Sequence, residues 1–362
     1  MNNDVVFEIL LHLPVRNLLR FRAVCKLWCY VIDSPNFVEL HTLRRNNKDE
    51  EVYLKFTFDL DHRLHRKKVS INLLDNGKPL KSHVFPPPTD RSVVVSGVAK
   101  GLVCLSFRDM LEIAICNPVL GQIKILPLSP HPCTPSHNHL FCNPIRHNVG
   151  FGFDENYKVV QLQQCLQCSE HVDANLYSAR TNSWSELDID QDLVIEKSIK
   201  SVCKNGSYAH WQVRTGICGR RKSILSFDMK NEVFRTITIP GDEVHGKSFE
   251  FFAILAKGGC SFVILVSDRI MMKVYESSGE GSELIWNSVN NVKLNSFWRS
   301  HIQSDDIPIW RNGDCVVLRG RKPSEVILYD YRARKFMAQF KMPRSSTLDD
   351  DIIEYEGSLI SP

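Results

Sequence analysis

At 362 residues, 43% hydrophobic and 24% charged, the chain holds enough apolar material for a small module plus one large domain. Its net charge of +4 is too slight to argue for nucleic acid or a membrane surface, and no apolar run reaches the roughly eighteen residues a bilayer needs. Twelve cysteines behind a start that does not read as a secretion signal are read as reduced thiols, of a cytoplasmic chain or one shared with the nucleus.

The opening stretch, Asn3 to Phe37, is helical in pattern. Val6, Ile9, Leu10 and Leu13 recur at the spacing of one helix face, with Phe7 and Leu11 as a second stripe. Pro14 closes that helix, since the residue before a proline is pushed out of the α region. A second run takes Leu18, Leu19, Phe21, Val24, Cys25, Trp28 and Ile32 until Ser34-Pro35 stops it. A helical unit of about forty residues without disulfide or metal is near the lower limit for folding alone. Either it caps the following domain or a second protein completes its core.

Residues 43–92 read as a basic linker with the first strands, at Val52 to Phe58 and Val69 to Leu74, before Pro86-Pro87-Pro88 breaks the pattern. From Val93 the character is β throughout. Cys116 to Ile123, Tyr177 to Trp184, Phe227 to Phe234 and Tyr329 to Phe336 share one form: a large residue, a polar turn, then a large residue seven positions on. A hairpin with a longer loop follows Tyr275. Glycines at 101, 152, 206, 258 and 313 open the units at a spacing of roughly fifty residues, as in kelch-like propellers. Radial stacking hides both faces of every sheet and leaves short edges, so five to six blades are expected, closed by a strand near Gly357 to Ile360. A pair of β-sandwiches is the competing arrangement.

Chemistry is sparse. His131, Cys133, His137, His139 and Cys142, with Cys165, Cys168 and His171, contain a single CxxC and no standard zinc spacing. No nucleophile elbow, phosphate-cradling loop or zinc-protease motif occurs, so no catalytic residue, metal or cofactor is assigned. Asp188, Asp190 and Asp192 read as acidic loop surface. The basic Gly219 to Lys222 with Tyr208, Trp211, Trp298 and Trp310 could serve a nucleic acid, but aromatics at strand spacing are usually core.

Two resemblances add to this reading. Asp4 to Trp28, D-V-V-F-E-I-L-L-x-L-P-V-x-x-L-L-R-F-R-x-V-C-K-x-W, with Ile32 to Phe37 after it, resembles the F-box of plant F-box proteins. Gly101 to Pro127, Gly150 to Val160 and Phe227 to Pro240 resemble their F-box-associated domain, and Glu356 to Pro362 is similar to the S-locus F-box subgroup. The resemblance implies a three-helix F-box at 1–42 and an all-β, kelch-like propeller over 93–362. It implies a non-catalytic receptor that docks in a Skp-type adaptor on a cullin. Val6, Ile9, Leu10, Leu13, Pro14, Leu18, Phe21, Val24, Cys25 and Trp28 would form the docking face, with some turned inward. The subgroup is expressed in pollen and recognises style-borne S-ribonucleases, which implies such a target. Met1-Asn2 stands where the family has Leu-Pro, so a module with weakened adaptor binding is the alternative. Candidate target loops are 128–147, 163–173, 186–198, 214–222, 241–248 and 276–283.

Overall fold

The computed structural model describes residues 3–44, 52–61, 66–75, 78–85, 93–107, 112–130, 145–165, 172–190, 193–199, 206–215, 221–239, 251–258, 261–267, 271–279, 284–293, 309–310, 314–319, 325–341, 351–355 and 357–362. The opening module contains four helices where three were expected: α1 (Asn3–Leu11), α2 (Val15–Phe21), α3 (Lys26–Asp33) and α4 (Pro35–Arg44). The run from Leu18 to Ile32 breaks because Cys25 is extended (φ −157°, ψ 161°) and caps α3, its sulfur accepting the Trp28 N–H. Ser34-Pro35 ends α3 and also begins α4. Pro35 takes the first helical position, where no N–H is needed, and the Ser34 hydroxyl accepts the Phe37 N–H at 3.3 Å.

The remaining described residues form six four-stranded antiparallel sheets. The first holds β1 (Val52–Asp61), β2 (Arg66–Asp75) and β3 (Lys78–Phe85). Blade 2 is β4 (Val93–Ala99), β5 (Leu102–Phe107), β6 (Ile113–Asn117) and β7 (Gln122–Ile125). Blade 3 is β8 (Ile145–Phe153), β9 (Tyr157–Cys165), β10 (Asp173–Ser178) and β11 (Ser183–Leu187). Blade 4 is β12 (Leu193–Ile199), β13 (Tyr208–Thr215), β14 (Arg221–Asp228) and β15 (Val233–Thr238). Blade 5 is β16 (Phe251–Gly258), β17 (Ser261–Ser267), β18 (Met271–Ser278) and β19 (Ile285–Lys293). Blade 6 is β20 (Ile309–Trp310), β21 (Cys315–Arg319), β22 (Glu325–Asp330) and β23 (Lys335–Lys341).

A late strand, β24 (Asp351–Glu354), completes the first sheet by pairing antiparallel with β1, Tyr53 opposite Glu354. The closing strand therefore lies before the expected Gly357 to Ile360, and those residues do something else. The first strands of blades 2 to 6 lie against one another in sequence, β4 on β8, β8 on β12, β12 on β16 and β16 on β20. They form the inner side of the propeller, and β24 takes the matching place in the first blade.

Each repeated octet is the hairpin between the third and fourth strands of its blade. Cys116 pairs with Ile123, Tyr177 with Trp184, Phe227 with Phe234 and Tyr329 with Phe336. The sixth residue of each turn has positive φ: Gly121 (70°), Asn182 (52°), Glu232 (56°) and Arg334 (58°). In three turns the second residue is Asn or Asp, and its Oδ1 accepts the next free N–H groups. The polar residues therefore close the turn, while the two large ones face each other across the strand pair.

Of the predicted glycines, Gly101 and Gly206 stand in the connections between first and second strands, Gly152 and Gly258 close to the ends of the first strands β8 and β16, and Gly313 lies outside the described residues. Because strand direction alternates, those connections share one rim with the octet hairpins, the turn rim. The opposite rim, the loop rim, carries the strand ends that bound the second-to-third connections and the links between blades, the longest links in sequence being 126–144, 239–250 and 294–308. The strand ends that flank 128–147, 163–173, 186–198 and 214–222 lie on this loop rim, and 241–248 lies outside the described residues. The sixth, 276–283, belongs to a hairpin on the turn rim.

The core lies in the seams between blades. Cys104, Ile115, Phe151, Val159 and Tyr177 fill the seam of blades 2 and 3, and Val160, Leu162, Trp211, Leu225 and Phe227 that of blades 3 and 4. Trp211 is thus core and not a base-stacking platform. Trp184 Nε1 donates to the Pro127 carbonyl at 2.8 Å and Trp286 Nε1 to the Thr238 carbonyl at 2.9 Å, tying outer strands of neighbouring blades. Lys158, nearly buried, donates to the Met229 carbonyl at 2.7 Å and to Glu232 at 2.8 Å across the next seam.

Candidate adaptor-docking face

The helical module divides its apolar residues between two uses. Leu10, Leu11, Leu18, Ile32 and Phe37 make its own centre, with Val6, Phe7, Leu13, Phe21, Trp28, Val31 and Leu40 around them. Phe37 meets Phe7 edge-on at 5.3 Å and stacks on His41 at 5.9 Å, while Trp28 packs edge-on against Phe21 at 5.4 Å. His41 Nε2 donates to the Leu13 carbonyl at 2.9 Å, locking α4 over the turn that Pro14 creates. On another side Val15, 2% exposed, and Leu19 pack on Val95, Val103, Leu105 and Tyr355 of the propeller.

Other large apolar side chains of the module stay uncovered. Val5 and Ile9 on α1 are 50% and 52% exposed, and Val24, Leu27 and Tyr30 are 60%, 49% and 77% exposed. Among the ten sequence-predicted docking residues, Ile9, Val24 and Cys25 are exposed. Val6, Leu13, Pro14, Phe21 and Trp28 are half-buried. Leu10 and Leu18 are corrected: they are 1% and 0% exposed and belong to the module's own centre. The inward side of α1 is Val6, Phe7, Leu10 and Leu11, which sends Ile9 out beside Val5. Sequence reasoning missed Val5, Leu27 and Tyr30. The signal lay in the surplus itself, more large apolar residues than two helix faces can hide in a unit this short.

Charge around these residues is mixed. Arg22 Nη2 meets Asp33 Oδ2 at 2.7 Å, and the arginine's pKa is raised by that hydrogen bond against a smaller cost of burial. Arg44 Nη1 meets Glu8 Oε2 at 2.5 Å, and this bond holds the Glu8 carboxyl below its ordinary range. Both pairs are exposed and act as rim contacts.

No group of three or more metal-competent side chains occurs among the described residues. His131, Cys133, His137, His139, Cys142, Cys168 and His171 lie outside them, as do Trp298 and the pair Met1-Asn2, and so does the side chain of Cys165.

Comparison with known proteins gives two matches that together cover all but residues 41–54. Residues 1–40 match the F-box domain, and residues 55–362 match the F-box associated beta propeller domain. The chain belongs to this F-box-associated propeller family. Similar curated proteins come from Arabidopsis thaliana. F-box protein At5g49610 is 24% identical, over 96% of this chain and 92% of that one. F-box/kelch-repeat protein At3g23880 is 25% identical, over 99% and 95%. F-box protein CPR1 is 24% identical, over 84% and 77%. Among solved structures, TolB from Acinetobacter baumannii aligns with a TM-score of 0.49 at 12% identity, over 83% of this F-box chain and 66% of that one. The Cps50 (Swd1) β-propeller domain of Myceliophteria thermophila aligns at 0.42 with 6% identity, over 82% and 90%.

Proposed function

We propose that this F-box protein is the substrate-receptor subunit of a Skp–cullin–F-box ubiquitin ligase. One observation carries the reading: the helical module buries one apolar side in the propeller and leaves Val5, Ile9, Val24, Leu27 and Tyr30 open. The F-box match over 1–40 supports a Skp-type adaptor as the occupant of that surface. The reaction scheme needs no bond-making residue in this chain. A target held on the propeller has its lysines kept near the cullin-bound conjugating enzyme, which raises their effective concentration.

The loop rim is the proposed target surface. The module joins the propeller at the other rim: Leu359 packs on both the module's centre and blade 2, and Glu39 of α4 acts electrostatically on Lys100 in the first turn of blade 2. The strand ends that bound the long connections thus lie on the rim away from the helical module. The likeness to the S-locus subgroup makes an S-ribonuclease the target to try first, and the cytoplasm, with the nucleus, the compartments to search.

The test is capture of a purified Skp-type adaptor by the full chain. We expect wild-type binding, with Ile9→Asp or Leu27→Asp losing it while the melting profile is kept, and the Leu13→Ala, Pro14→Ala pair weakening it. Absence of adaptor binding by the wild type would overturn the ligase reading and leave an interaction module that does not support ubiquitination. Proteasome-blocked affinity capture then reports the target, and failure of an S-ribonuclease to appear would remove that finer proposal alone.

A further inference from the structure

Blade 2 departs from its sister blades at two neighbouring residues, and both departures release groups that hold the segment Tyr355 to Pro362. In blades 3, 4 and 6 the third residue of the octet donates its backbone N–H to a carbonyl at the start of the second strand. Ala179 bonds to Tyr157 at 3.1 Å, Met229 to Ser207 at 2.9 Å and Tyr331 to Asp314 at 3.1 Å. The corresponding carbonyl in blade 2 is that of Gly101, one residue before Leu102, and the corresponding donor would be residue 118. That residue is proline and has no N–H. The Gly101 carbonyl instead accepts the Tyr355 hydroxyl at 2.9 Å.

The second departure is one position earlier. Asp228 and Asp330 close their turns with carboxylate oxygens alone. In blade 2 the residue is Asn117, fully buried, whose Oδ1 closes the turn in the same way. Its extra amide donates to the Ser358 carbonyl at 2.9 Å and the Ile360 carbonyl at 2.8 Å. Space is also reserved: a Cβ on Gly101 would lie 2.4 Å from the Ser358 hydroxyl oxygen, and one on Gly357 2.7 Å from Val119.

The segment so held touches three separate cores. Tyr355 lies in the cluster that receives Val15, Leu359 packs on that cluster and on the centre of the helical module, and Ile360 packs on the seam of blades 2 and 3. We propose that Asn117 and Tyr355 are positioning residues that fix the bearing of the helical module on the propeller, through Leu359. At these two octet positions blades 3, 4 and 6 carry neither an amide nor a proline, so the Asn117 amide nitrogen and Pro118 serve the strap, while Asn117 Oδ1 closes the turn.

Hydrogen exchange on the full-length chain tests this without adaptor or target, so its outcome is independent of the ligase reading. Asn117→Asp keeps the turn acceptor, as Asp228 and Asp330 show, and removes the two donated bonds. Tyr355→Phe removes the hydroxyl alone. We expect either variant to keep the wild-type circular dichroism and the protection of blades 3 to 5. Peptides covering 355–362 and 13–21 should both lose protection on the order of tenfold, the scale for one or two buried hydrogen bonds. Wild-type protection of 13–21 in both variants, with or without loosening of 355–362, would overturn the proposal.

Discussion

At the scale of single residues, the side chains that matter most close turns or cross seams. Asp228 is drawn two ways: burial favours its neutral form, but hydrogen bonds from the Asn231 backbone and side chain and from the Lys230 N–H prevail and lower its pKa. A carboxyl lowered on folding contributes stability above its unfolded value, and that contribution is lost as pH falls through the folded one. The wild type should therefore lose stability from about pH 4 downward. Asp228→Asn, which keeps Oδ1, should flatten that part of a denaturation series recorded between pH 7 and pH 3. Cysteine behaviour divides in the same local way. Burial pushes the Cys116 thiol up to about 12 and raises that of Cys104 as well, whereas Cys25 is exposed on the module. Native alkylation at pH 8 followed by peptide mapping should modify Cys25 and spare Cys104 and Cys116; labelling of either buried thiol would contradict the packing of blade 2.

At the scale of elements, the octet hairpin is the unit from which the propeller is repeated. Its sixth residue must enter the left-handed region, and blade 2 alone among the four meets that demand with glycine, Gly121 at φ 70°. Gly121→Val should lower stability by about 1–2 kcal/mol, the penalty for a Cβ in that conformation, read as a drop in melting temperature without loss of β signal. This element was legible in the sequence, because a large residue, a polar turn and a second large residue leave a fixed interval whatever the surrounding packing. The helices were less legible. Pro35 was read as a stop when it is equally fitted to a first helical position, and the Cys25 cap was hidden because cysteine rarely plays that part. The same local logic explains the docking face. Periodicity shows that α1 has an apolar stripe, yet only packing against α4 and Phe37 decides that Leu10 turns in and Ile9 out.

At the scale of the whole molecule, a small helical unit leans on a large propeller, and their stabilities should separate. Phe37 is the fully buried ring at the module's centre. Phe37→Ala should cost about 3–5 kcal/mol, comparable with all that a domain of this size possesses. Helical circular dichroism and adaptor capture should then both be lost while the main β melting transition remains. A single transition shifted as one would show that module and propeller unfold together. The pairing of β24 with the N-terminal part of the same β region was expected in kind but not in place, because a closing strand is chosen by which inner edge lacks a partner, and no local pattern announces that.

That pairing has a consequence for synthesis. β1 emerges from the ribosome nearly three hundred residues ahead of the strand that completes its sheet. At about 5–20 residues per second the wait is roughly fifteen seconds to a minute. Throughout that interval the nascent chain carries an unprotected strand edge, open to wrong partners. Faulty translation that stops short of residue 351 should therefore yield an aggregation-prone product and not a smaller working receptor, a natural client for chaperones at the tunnel exit.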